Sequence, residues 1–205
     1  MKVAALYDVH AMPWALEAVL AEVDADAIVF GGDFLGGPFP EETVALMQSV
    51  EATLIRGNVE DSDPRFAELP LTAELDDVTY CHATPTDNTP LTTAITPDEV
   101  FLEAFGSSGT FVIGHTHHQF DRRIGDLRVI NAGSVGMAYE GEVAAFWTLV
   151  EDGEPDFRKT SFDVERAVRE LRRSDWDGAQ AFIEENLLVA VSRDAAIEHF
   201  EGQRT

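Results

Sequence analysis

The chain has 205 residues, 45% of them hydrophobic, enough for one substantial core. Thirty-eight Asp and Glu against fourteen Lys and Arg leave a formal charge of −24, and such a surface repels duplex nucleic acid, whose binding needs cations to displace counterions from phosphates. A single cysteine, Cys81, excludes an internal disulfide and a cysteine-rich zinc cluster, so any metal must be held by His, Asp, Asn or Glu.

"KVAALY" reads as a strand, and "MPWALEAVLAEV" as a helix with apolar residues at 15, 16, 19, 20 and 23. "AIVFGG" is a second strand, "PEETVALMQSV" a helix opened by Pro40, and "ATLIRG" a third strand. This alternation argues for a parallel sheet with right-handed crossovers. The strand "VTYCH" follows, then a Thr/Pro/Asp/Asn-rich loop over 83–96. Next comes a helix beginning "TPDEVFLEAF", in which Thr96 and Glu99 form a capping box with Pro97 at the first helical position. After the strand "TFVIG" come two hairpins, one turning at Gly125-Asp126 and one at Asp152-Gly153. From about Asp163 the tail is helical, with apolar spacing suited to packing on a sheet. No repeat or long linker divides the chain, which points to one α/β sandwich domain over residues 1–205.

The apolar runs fall far short of the roughly 18–20 residues a membrane span needs, and "MKVAALYDVH" lacks a cleavable signal pattern. The expectation is a soluble, cytoplasmic protein with no membrane partner. The excess acidity reads as solvation, with adaptation to a salty cytoplasm as a second possibility.

Five strands end in unusual chemistry: "YDVH", "FGGDFLGG", "RGNVED", "YCHATP" and "IGHTHH". Carboxyl ends are the edge where open α/β sheets build ligand sites. Asp8 with His10, and His115 with His117, are spaced by two, which on extended backbone puts each pair on one side. Gly32, Gly57 and Gly114 each precede a polar candidate and permit close backbone approach. Taken singly, Asp8, Asp33 and Asn58 are ordinary turn formers, and His82 an ordinary buried histidine. The coincidence over five strand ends, which collects five of the six histidines, is harder to explain structurally.

The ordered elements "DVH", "GGDFLG", "GN", "H" and "GHTH" resemble the signature of the calcineurin-like metallophosphoesterases, in their small bacterial and archaeal branch. "NAGSVG" at 131–136 and the tail "SFDVERAVRELR" resemble that branch as well. The resemblance implies an α/β fold of two mixed β-sheets flanked by helices. It implies that Asp8, His10, Asp33 and His117 hold one divalent ion, and that Asp33, as a bridge, holds another with Asn58, His82 and His115. The donor types suit Mn, Fe, Ni or Zn. His118 has no place in the motif and reads as a partly exposed neighbour or a donor to a ligand.

The function so implied is dinuclear metal-dependent hydrolysis of a small phosphoester or nucleotide by a metal-bridging hydroxide, with no protein nucleophile. Val59 stands where many relatives have a histidine that protonates the leaving group, which favours phosphodiesters over alkyl monoesters. Ala11 and Met12 replace a usual Gly-Asn, so substrate contact there differs. The loop "HATPTDNTPLTT" reads equally as a substrate wall or as an ordinary surface loop, and "NAGSVG" as a tight turn. The alternative function is a catalytically weak scaffold of the same fold that binds a protein partner, as a retromer subunit does. A mononuclear sensor fits less well, since the bridge and the second ligand set would be superfluous.

Overall fold

A computed structural model describes residues 1–204. In chain order the elements are β1 (Lys2–Leu6), α1 (Pro13–Glu22), β2 (Ala27–Phe30), α2 (Pro40–Gln48) and β3 (Thr53–Leu54). There follow β4 (Thr72–Leu75), β5 (Val78–Cys81), α3 (Asp98–Phe105), β6 (Ser108–Ile113), β7 (Phe120–Ile124) and β8 (Asp126–Asn131). The chain ends with β9 (Ala145–Glu151), β10 (Glu154–Thr160), α4 (Val164–Leu171), α5 (Ala179–Phe182) and α6 (Arg193–Gln203). They form two five-stranded sheets, ordered β10-β9-β1-β2-β3 and β4-β5-β6-β8-β7. β1, β2 and β3 run parallel as the βαβ pattern requires, but β9 joins β1 antiparallel, and β4 and β7 do the same at the edges of the second sheet; both sheets are mixed.

Alternation along β1 shows how the layers assemble. Val3, Ala5 and Tyr7 enter the layer between the sheets, where they meet Val29, Ile55, Val112 and Ile130. Ala4 and Leu6 face the other way, into a cluster with Leu16, Val19 and Phe30. A third cluster, with Phe101, Phe105, Ile113 and Leu127, seats α3 on the second sheet. Burying a large apolar side chain contributes about 1.5–3 kcal/mol, so these layers fix the strand ends that carry the polar residues.

The structure departs from the sequence pattern at three places. β3 is only two residues long: Arg56 N turns away to bond Pro70 O, and the chain leaves the sheet before Gly57. β4 is announced by no sequence pattern, since its hairpin with β5 turns on Asp76-Asp77, both with positive φ, a weaker signal than Asp-Gly. The capping box at Thr96 does not form. Pro97 is the N-cap without a side-chain bond, and the Thr96 hydroxyl donates to Glu201 while accepting from Thr93 N at 2.8 Å. In the tail, Asp163 and Ser192 cap α4 and α6 through their side chains, and Leu171, Ile183 and Leu187 are buried in the cluster that covers the first sheet. Among the described residues no helix is long and apolar enough to cross a membrane.

Candidate metal centre

All seven candidate ligands follow carboxyl ends of strands: Asp8 and His10 after β1, Asp33 after β2, Asn58 after β3, His82 after β5, and His115 and His117 after β6. The first four come from one sheet and the last three from the other. Five of them are not on extended backbone. Asp8, His10, Asp33, His115 and His117 have φ of 52°, 48°, 49°, 67° and 55°, a left-handed conformation that costs an L-residue roughly 1–2 kcal/mol. Loop-to-loop bonds impose it: Asp8 N to Gly32 O at 3.1 Å, His10 N to Asp33 O at 2.9 Å, and His115 N to Asp8 Oδ2 at 2.9 Å. The extended backbone that i, i+2 spacing assumes is therefore absent, and His115 and His117 fall in two different groups.

One group is Asp8, His10 and His117, the other Asp33, His82 and His115, and in each the ligand-capable atoms lie within 4.8 Å of one another. His117 Nε2 is 3.1 Å from His10 Nε2 and 3.3 Å from Asp8 Oδ1. His82 Nε2 is 3.1 Å from His115 Nδ1 and 3.4 Å from Asp33 Oδ2. The groups adjoin, since Asp8 Oδ1 is also 3.9 Å from His82 Nε2. Gly57 and Gly114 permit this closeness: a Cβ at Gly57 would stand 2.1 Å from Asp33 Oδ1, and one at Gly114 2.4 Å from Asp8 Oδ2.

Carbonyls behind the rings fix which nitrogen faces inward. His117 Nδ1 donates to Met137 O at 2.7 Å, His82 Nδ1 to Gly31 O at 3.0 Å, and His115 Nε2 to Thr89 O at 3.1 Å. In the neutral form of each ring the opposite nitrogen is a lone pair aimed into its group, as metal-binding imidazoles require. Burial, with neighbouring imidazoles, pushes His10 and His115 down to about 4 and keeps them neutral. For His82 burial acts the same way, but Asp33 and Asp8 outweigh it and push the ring up to about 9 in the metal-free chain. Burial likewise opposes ionisation of Asp8 and Asp33, yet the facing histidines hold both below the usual carboxylate range.

Two buried oxygens decide whether a cation fits. Asp8 Oδ1 and Asn58 Oδ1 are shut off from solvent and have no hydrogen-bond partner. Such orphans are costly in a folded chain. Asn58 stands between Gly57 and Val59, both packed on Asp33, with Val59 N donating to Asp33 Oδ1 at 2.9 Å. Oxygen acceptors without donors, beside imidazole lone pairs, form a donor set for divalent cations.

Glu60 was not singled out in the sequence. It is fully buried and accepts from Asp33 N at 2.7 Å, Gly57 N at 2.9 Å and Leu35 N at 3.1 Å, which sews the Asp33 loop to the Asn58 loop. Burial, with Asp33 nearby, raises its carboxyl to about 6 despite the three donors. A Glu in "NVED" carries no pattern that announces this brace. His118, expected as a partly exposed neighbour or a donor to a ligand, is fully buried. Its Nδ1 donates to Thr116 O at 2.8 Å and its Nε2 accepts from Ala94 N at 3.4 Å, so it ties loops together. The 83–96 loop engages its polar groups within the protein, Thr84 with Asp87 and Asp87 with Thr89 inside the loop, Asn88 with Asp61 and Thr93 with Glu201 outside it. "NAGSVG" is a turn that supports Asp8, whose carbonyl accepts from Gly136 N at 3.0 Å and Ser134 Oγ at 2.8 Å.

The sequence model of the calcineurin-like phosphoesterase superfamily domain matches residues 1–152. The chain belongs to that superfamily. Among solved structures it resembles a metallophosphoesterase from Sphaerobacter thermophilus, with 22% identity and a TM-score of 0.71 over 84% of this chain and 94% of that one. It also resembles a hypothetical protein from Pyrococcus horikoshii, with 14% identity and a TM-score of 0.71 over 89% and 97% of the two chains. A phosphoesterase from E. coli aligns at 21% identity with a TM-score of 0.52, over 80% of this chain and all of its own. At these identities the likeness is one of fold. No curated protein sequence matches significantly.

Proposed function

We propose that this superfamily member is a dinuclear metal-dependent phosphodiesterase acting on a small phosphoester or nucleotide. The observation that carries the reading is the pair of adjoining buried ligand groups, with orphaned Asp8 Oδ1 and Asn58 Oδ1. In this reading Asp8, His10 and His117 would hold one ion, Asn58, His82 and His115 the other, and Asp33 would be shared between them. When bound, two divalent ions supply Lewis acidity for phosphoryl oxygens and a hydroxide nucleophile, because coordination lowers the pKa of water to about 7.

The chain's own residues do the rest. With two divalent ions held there, Asp8, Asp33 and the Glu60 carboxylate would offset most but not all of the four positive charges, and the pocket would be locally positive on a protein of formal charge −24, suited to a phosphate. Glu60 and the Met137, Gly31 and Thr89 carbonyls hold the ligands in place before substrate arrives. Hydrolysis joins one water oxygen to phosphorus and breaks one ester P–O bond, and the departing oxygen needs a proton or a low pKa. Val59 offers none, and both ring nitrogens of His118 are engaged. Diesters with good leaving groups are therefore favoured over alkyl monoesters.

The test is hydrolysis of bis(4-nitrophenyl) phosphate with added Mn, Ni or Zn, together with metal analysis. Asp33→Asn keeps an acceptor for Val59 N and loses the charge, so turnover should fall by at least about a thousandfold with the fold intact. A wild-type chain inert toward diverse phosphoesters with every metal would sink the reading.

A further inference from the structure

Beside the ligand group of His117 opens a cavity of about 460 Å³, lined by Met137, Tyr139, Asn186, Val191, His199 and Phe200. That is within the roughly 300–1,000 Å³ of small-molecule sites. Its inner wall is one ring from the candidate metal centre. Tyr139 stacks on His117 with centroids 4.9 Å apart and planes 26° from parallel, and Tyr139 N donates to His117 O at 2.9 Å. Phe200 lies 6.0 Å beyond Tyr139, and His199 stands edge-on to Phe200 at 5.5 Å.

The outer wall comes from residues 185–200, beyond the 1–152 span that the superfamily model matches. It is clamped to the ligand loops. Gly141 N donates to Val191 O at 2.8 Å, Arg193 Nε to Glu140 at 3.0 Å, and Thr93 Oγ1 to Glu201 at 2.5 Å. The aromatic faces are therefore placed relative to His117 and are not loose appendages.

Charge decides what the cavity can take. No Lys or Arg lines it among the described residues, while Glu185 does, so an anionic group is disfavoured there. Flat faces of Tyr139 and Phe200 suit a neutral planar ring, since base–aromatic stacking tolerates any base. Asn186 offers an amide and Glu185 a carboxylate for ring-edge donors and acceptors. We propose that this cavity receives the nucleobase of a nucleoside phosphoester, laid against the wall that the adjoining Tyr139 and Phe200 rings form, while its phosphate lies at the Asp8–His10–His117 side of the centre. The phosphate half rests on the phosphoesterase reading; the base half rests on the cavity alone.

The experiment uses zinc-loaded full-length protein and two pairs of probes. In titration calorimetry, thymidine 5′-phosphate should bind roughly tenfold more tightly than methyl phosphate, and Phe200→Ala or Asn186→Ala should erase most of that difference. In hydrolysis, the 4-nitrophenyl ester of thymidine 5′-phosphate should outpace methyl 4-nitrophenyl phosphate, with the same leaving group. Phe200→Ala should raise KM roughly tenfold for the nucleoside ester alone. Equal binding of the two phosphates by the wild type overturns the proposal whatever the hydrolysis shows. So does a dimer, dispersed by Leu188→Asp, whose contact fills the cavity; Leu188 and Val189, between the lining residues Asn186 and Val191 in the chain, are 59% and 63% exposed. Preferential nucleotide binding without hydrolysis of any ester would leave the cavity assignment standing and defeat the hydrolase reading.

Discussion

The two ligand groups use the same residue types but are braced differently. Asp8, His10 and His117 hang on main chain: Asp8 N bonds Gly32 O, His10 N bonds Asp33 O, and Gly136 N bonds Asp8 O. Asp33, His82 and His115 depend more on side chain, because one buried carboxylate, Glu60, accepts from Asp33 N and Gly57 N and sets the approach of the two loops. Backbone ladders distribute a load over several bonds, whereas a lone buried acceptor concentrates it. The second group is accordingly the more fragile of the two.

Gly57→Ala should break the comparison most severely. Its Cβ would fall 2.1 Å from Asp33 Oδ1 and 2.5 Å from Asp33 N, neither able to retreat. Metal content should drop from about two ions per chain to about one, and diester hydrolysis by roughly a thousandfold. Loss of both ions would show that the groups are not separable, and retention of both that the close approach at Gly57 does not set the second one. Glu60→Gln comes next. Its amide would face backbone N–H groups with a donor of its own, at a cost of about 2 kcal/mol and a melting temperature lower by roughly 4–8 °C in metal-free protein.

A smaller effect distinguishes the groups by protons. His82, pushed up to about 9 in the metal-free chain against an ordinary 6.5, contributes stability that is complete below pH 6.5 and fades as pH rises through about 9. His10, pushed down to about 4, contributes nothing of the kind over that range. Metal-free protein should therefore melt progressively lower from pH 6.5 to 9, and His82→Gln should flatten this arm. Metal uptake at pH 7.5 in weak buffer should release about one proton, since a coordinating imidazole is neutral. An uptake without proton release would contradict it. Ser134→Ala should cost least, about 1 kcal/mol by denaturant titration, because Gly136 N still supports the Asp8 carbonyl.

Much of this architecture is legible in the sequence, for reasons that can be named. The long elements announce themselves by period, and the hairpins at Gly125-Asp126 and Asp152-Gly153 by their turn residues. The seven polar residues are visible because each follows an apolar strand. Their backbone is not visible, since a left-handed Asp8 or His117 is imposed by partners such as Gly32 O that lie far away in the chain. Glu60 was invisible for the same reason: three donors from two loops define its role, and no local spacing encodes them. Thr96 shows the reverse error, where a sound local signal was outcompeted by Glu201 on α6.

The left-handed backbone at Asp8, His10, Asp33, His115 and His117 sets thermal robustness against purpose at the same five positions. Glycine or asparagine would relax each turn, so an engineer selecting only for heat tolerance in chelator would be led to erase the centre one residue at a time. Any stabilisation campaign on this chain must therefore be run with cations present.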